Sequence, residues 1–204
     1  MNLLINSLVG IVGIVIGWIF QRGITFLSKP NIRIILGEDA FMNKGLENEK
    51  KFVHINVYND KRNKFFRFLL DNQSANNARA WVSFIEPITK SEFFKINGRW
   101  TTTKEPVNYE TNKADISLAL IPPRESIPAG ENSVIVIAIK SNNSSSAFAF
   151  NNESYLYDNW EKPDHELSEN IYIVEVKVTS EGYEWKKRFI LHNPGKTTSR
   201  FNLN

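Results

Sequence analysis

The 204-residue chain reads as a mainly β protein, an antiparallel two-sheet sandwich preceded by one amino-terminal transmembrane helix. Three observations predict this. Leu3 to Phe20 carries no charge over about eighteen residues, and a helix of that length roughly matches the hydrocarbon core of a bilayer. The remainder is a series of short segments in which apolar and polar residues alternate, separated by clusters of Pro, Gly, Asn and Ser. Near the carboxyl end two such segments flank Ser180-Glu181-Gly182, a hairpin pattern.

The helix reads as a retained anchor rather than a cleaved signal peptide. Met1 and Asn2 supply no basic side chain, and Gln21-Arg22-Gly23-Ile24 is a poor cleavage context. Trp18 followed by Arg22 fits an aromatic belt and a snorkelling cation where a helix leaves lipid. Arg22, Lys29 and Arg33 follow the run, so the cation bias places the carboxyl-terminal domain in the cytoplasm of a single-pass cell-membrane protein. Asn6, Gly10, Gly13, Gly17 and Gln21 fall on one stripe roughly 80° wide at about 100° per residue. Gly13 to Gly17 is a GxxxG spacing, and this stripe is the candidate face for helix self-association and a homo-oligomer.

Residues 1–28 are thus expected to be helix and membrane exit, ended by Pro30, residues 29–193 the β domain and residues 194–204 a polar tail. Within the domain, Ile32–Leu36 reads as a first strand and Gly37–Lys51 as a polar connection. Lys51–Tyr58 is a strand with Val53, Ile55 and Val57 on one face, His54 and Asn56 on the other. A basic cluster, Lys61, Arg62, Lys64 and Arg67, follows. Ala78–Glu86 alternates and is stopped by Pro87, and Phe93–Ile96 is a short strand leading through an Asn97-Gly98 turn to Arg99-Trp100. Thr101–Asp115 reads as a long loop, and Ile116–Leu120 resumes strand character. After Ile127-Pro-Ala-Gly-Glu131, the β-branched run Val134–Ile139 suits a central strand covered on both faces. Ala147–Phe150 is a short strand, Asn151–Asn170 a second long connection, and Tyr172–Val178 with Tyr183–His192 the closing hairpin.

Phe52 to Asn59 followed by Ser74-Ala75-Asn76-Asn77-Ala78-Arg79-Ala80-Trp81, and then Ile127-Pro-Ala-Gly-Glu131 before an apolar strand, resembles prokaryotic immunoglobulin-like adhesion and interaction domains of the CARDB type. The whole chain is similar to prokaryotic proteins that carry one amino-terminal membrane helix and such a domain. The resemblance implies an immunoglobulin-like sandwich with a binding or scaffolding role, and carries no functional residue across.

The absence of Cys excludes disulfides and thiolate metal sites, and a net charge of +3 with mixed signs gives no reason to expect a nucleic-acid partner. His54, His165 and His192 are not at metal-site spacing, and Asp164-His165-Glu166 with Glu161 and Glu169 is read as a solvated loop. There is no Gly-rich phosphate loop or nucleophile elbow, so no enzyme activity, cofactor or metal is expected. Aromatics are the better lead. Arg99, Trp100, Tyr155, Tyr157 and Trp160 are the candidate partner-binding residues, because loops on a rigid sandwich carry binding and Trp, Tyr and Arg dominate interface energetics. The competing reading is that these rings fill the open ends of the sandwich as core.

The function expected is a non-enzymatic interaction or scaffolding module that presents a sandwich at the lipid bilayer to a protein partner. Two alternatives stand beside it. One is a membrane effector that oligomerises through the Gly stripe and perturbs the bilayer on sensing a ligand. The other is an exported adhesive or filament-like protein.

Overall fold

Strands cover most of the domain because β-branched and aromatic residues recur at every second position, so each strand buries one face. The computed structural model describes residues 13–24, 29–61, 73–111 and 113–204. One sheet contains β1 (Ile32–Leu36), β2 (Ala40–Met42), β3 (Lys50–Asn59), β6 (Arg99–Trp100), β10 (Asn132–Ser141), β11 (Ala147–Ala149) and β12 (Glu166–Leu167). Its main order is β1-β3-β10-β11-β12, with β2 on β3 and β6 on β10. The second contains β4 (Ala75–Ile85), β5 (Glu92–Asn97), β9 (Glu125–Ile127), β13 (Asn170–Ser180), β14 (Tyr183–Asn193) and β15 (Asn202–Leu203). Its order is β15-β14-β13-β4-β5, with β9 on β4. A small ladder pairs β7 (Val107–Asn108) with β8 (Lys113–Ala114), and the strands of all three sheets run antiparallel to their neighbours.

The two larger sheets face each other across one core. Val53, Ile55 and Val57 of β3 belong to the same buried cluster as Val82 and Phe84 of β4 and Val174, Val176 and Val178 of β13. The alternation read in the sequence therefore holds for these strands, and β10 is central, paired on both sides. A bulge at Ile137 resets its phase, since Val136 stands opposite His54 whereas Ala138 stands opposite Val53. Ile135, Ile137 and Ala138 consequently enter the main core, while Val136 and Ile139 join a second cluster.

Several expectations are corrected. Asn97-Gly98 is a crossing between sheets rather than a turn, because β5 pairs with β4 in one sheet and β6 with β10 in the other. The chain changes sheets at Gly98, where a Cβ would lie 2.7 Å from that of Ala80, closer than real Cβ contacts allow. Ile116–Ala119 is a helical turn rather than a strand. Asp115 caps it, its Oδ1 accepting from the N–H of Ser117 at 2.9 Å and Leu118 at 3.3 Å, which holds these residues helical. Ala40–Met42, inside the expected connection, is a short strand, as is Glu125–Ile127. The carboxyl-terminal segment is no free tail: Phe201 is fully buried and β15 extends the second sheet alongside β14. Ser180 to Tyr183 is the predicted hairpin, with Glu181 at φ 48° and Gly182 at φ 83°, both in the left-handed region that a two-residue turn between twisted strands requires.

Residues 13–24 form a helix exposed on every side, with the Arg22 guanidinium 4.6 Å from the Trp18 ring centre. Among the described residues no helix is long and apolar enough to cross a membrane, so they do not support the predicted transmembrane helix. Residues 3–12 of the predicted span, with Asn6 and Gly10, lie outside the described residues, as do Arg62, Lys64 and Arg67 of the basic cluster. Among the described residues nothing lies within 4 Å of where a Cβ would sit on Gly13 or Gly17.

His165 supplies a pH prediction. It is 5 % exposed, its ring stacks on Phe94 at 5.8 Å, and among the described residues its Nδ1 has no hydrogen-bond partner. Burial brings its pKa down to about 4. The native state thus holds a neutral ring while the unfolded chain takes up a proton near pH 6.5, so the stabilisation is full above that pH and is lost as pH falls toward 4. Urea unfolding at pH 7 and pH 4.5 should show wild type losing about 2 kcal/mol more than His165→Gln over this interval. Equal losses in the two proteins would refute the assignment.

Candidate functional site

The two long connections of the sequence meet over the outer face of the first sheet. Residues 151–165 fold as three 3₁₀ turns, Asn152–Leu156, Asp158–Trp160 and Pro163–His165. Asn151 caps the first: its Oδ1 accepts from the Ser154 N–H, and Ser154 Oγ accepts from the Asn151 N–H, both at 3.2 Å. Asn159 and Trp160, at φ 54° and 65°, then turn the chain back on itself. The Trp160 ring thereby packs 5.9 Å from those of Phe52 and Phe150 and 6.0 Å from that of Tyr155. These aromatics cover Val136 and Ile139, which the bulge in β10 turned outward. The Lys50 amine completes the cluster, 4.6 Å from the centre of the Trp160 ring.

Arg99 joins this loop to the other. Alternation along β6 sends Trp100 inward and Arg99 outward. Its Nη2 donates to the carbonyl of Thr103 at 2.7 Å, its Nη1 donates to Asn152 Oδ1, and its guanidinium lies 5.0 Å from the Tyr155 ring centre. The Tyr155 hydroxyl donates to Glu105 Oε1 at 3.2 Å, and burial raises the phenol pKa to about 12, so it remains a donor. A guanidinium that is 4 % exposed and bridges neutral oxygens on two loops locks them as one unit.

Between the loops lies a hollow of about 350 Å³. Leu118, Ile121, Pro122 and Pro123 form its apolar wall, and Thr103, Lys104, Glu105, Arg124 and Asn152 its polar side. Around it Ile116, Leu120 and Ile121 are each more than half exposed, with Leu118 at 39 %. Four large apolar side chains in six residues, standing beside an apolar hollow, form the kind of surface patch that marks an interaction site.

Of the five candidate contact residues, the structure brings Arg99, Tyr155 and Trp160 together. Trp100 is removed from the set: it is fully buried in the main core, which matches the core reading of these rings. Tyr157 is 40 % exposed. The residues that form the hollow were not singled out in the sequence, and the signal that marks them is the apolar run Ile116–Ile121 ending in Pro122-Pro123. A second hollow of about 440 Å³ is lined by Glu38, Asp39, His54, Asn56, Thr101 and Val134. There His54 Nδ1 lies 3.0 Å from the Glu38 carbonyl, and burial holds its pKa below the ordinary histidine value. Among the described residues no group of three or more His, Asp or Glu side chains is placed to hold a metal ion. The chain matches no protein-family model, and comparison with curated proteins finds no significant match.

Proposed function

We propose that this protein is a non-enzymatic interaction module, an immunoglobulin-like sandwich tethered to the cytoplasmic face of a cell membrane by its amino-terminal apolar segment. The observation that carries the reading is the two-loop surface: an apolar hollow with exposed Ile116, Leu118, Leu120 and Ile121, held by Arg99 and Tyr155. A surface fixed before binding loses little conformational freedom when a partner arrives. The partner class it suits is a membrane-associated protein that offers an apolar side chain to the hollow, and tethering raises the effective concentration of such a partner. The exposed glycines Gly13 and Gly17, four residues apart on one helix, support the second reading, in which the helix self-associates and the protein acts on the bilayer.

Leu118→Asp/Ile121→Asp changes two exposed side chains, so its melting temperature should stay within a few degrees of wild type. Proteins cross-linked to the full-length chain in its native membrane should be lost from this variant and kept by Trp81→Ala, which alters the other sheet. Recovery of the same proteins in the same yield from the double variant would exclude the hollow as the contact. Full-length chain in the supernatant after a carbonate wash would exclude the tether.

A further inference from the structure

We propose that two copies of this chain join through the edge of β14, forming a continuous antiparallel sheet about a two-fold axis at Trp185. The backbone geometry comes first. Ile190 exchanges both of its backbone bonds with Asn204, just past β15, each at 2.8 Å, so its N–H and C=O point away from β13. Strand groups repeat every second residue, and those of Arg188, Lys186 and Glu184 therefore face the same way. β15 reaches only His192 and Leu191, with Asn204 at Ile190, and among the described residues no strand lies beyond that point on the far side of β14. An edge of seven residues from Tyr183 to Phe189 is left ready for another strand.

Charge decides what fits there. The open edge reads Tyr183-Glu184-Trp185-Lys186-Lys187-Arg188-Phe189. In an antiparallel pair about an axis through Trp185, Glu184 stands opposite Lys186 of the other copy and Lys186 opposite its Glu184. These are the residues whose backbone groups face outward, so each opposed pair exchanges two hydrogen bonds. On the other face Lys187 meets Tyr183 of the second copy, a cation beside a ring, and the two Trp185 rings adjoin. Moving the axis to Lys187 sets Lys187 against its own copy and Lys186 against Arg188, and moving it to Glu184 opposes two carboxylates. An axis at Lys186 pairs Glu184 with Arg188 but sets Lys186 against its own copy at the centre. Of these four registers, the one about Trp185 alone opposes no like charges. Glu184 already lies 2.8 Å from Lys186 and 3.3 Å from Lys177 within one chain, and its side chain, 44 % exposed, remains open to a second cation.

Sedimentation equilibrium of the full-length chain in detergent, at low and high salt, tests the interface. Lys186→Glu and Glu184→Lys should each weaken the dimer by about tenfold, and the double swap Glu184→Lys/Lys186→Glu should restore it. Because the chain has no cysteine, Trp185→Cys in wild-type background gives a single thiol at a non-hydrogen-bonded pair, where opposed Cα atoms are about 4.5 Å apart and a disulfide can close. Oxidation should give a covalent dimer that Lys186→Glu reduces. A mass unaffected by either charge change but halved by Gly13→Leu/Gly17→Leu would assign association to the helix and overturn the edge dimer, as would a wild-type monomer.

Discussion

Phe201→Ala is expected to lower the unfolding free energy by about 4 kcal/mol, the cost of deleting a large aromatic from a packed core. The ring has no exposed surface and belongs to the cluster shared by both sheets, and the amine of Lys140 lies 5.9 Å from it. Its backbone matters as well. Lys51, 5 % exposed, donates to the Phe201 carbonyl at 2.5 Å and pairs with Asp39 at 2.7 Å, so the carboxyl-terminal segment is tied through Lys51 to β3 and to the residue just before β2. Ending the chain after Asn193 removes Phe201, Leu203 and the β15 pairing together, and leaves Leu191 beside an open edge. The truncated protein should lose its cooperative thermal transition, followed by circular dichroism with urea titration of the point variant. A truncated protein that melts within a few degrees of wild type would show that the last eleven residues carry no stability.

Trp100→Ala is expected to cost a similar amount, about 4 kcal/mol, whereas Trp100→Phe should cost less than about 2 kcal/mol. The indole fills the space between the sheets next to the crossing at Gly98, and among the described residues Nε1 has no hydrogen-bond acceptor. An N–H buried without an acceptor already costs stability in the native state, so a ring that lacks it recovers part of what the lost volume removes. Trp160→Ala, at the partly exposed second cluster, should cost roughly half as much as Trp100→Ala. Chemical denaturation of the three variants gives the ordering. If Trp100→Phe proved as costly as Trp100→Ala, the indole N–H would have to be paired.

The contrast between these two tryptophans shows how far the sequence reached. Both Trp100 and Trp160 were legible as candidates for either core or contact, and composition treats them alike. Their fates differ because one residue, Gly98, carries the chain from one sheet to the other and points Trp100 inward, and that depends on how closely Ala80 approaches. In the same way the hollow is made by residues from 103–124 and 152, segments that the sequence separates and that Arg99 joins. Spacing along a chain carries no information about such a meeting.

Local pattern by itself determined the strands read at Lys51–Tyr58, Ala78–Glu86 and Val134–Ile139 and the closing hairpin, the third from its β-branched run and the others from alternation, since such runs, period-two burial and a turn of two left-handed residues are properties of neighbours. Tertiary structure alone decided where Ile116–Ala119 and Asn202–Leu203 would lie, which aromatics became core and which edge stayed open. Those outcomes depend on packing between residues distant in the chain, where the gain from burial outweighs weak local preference.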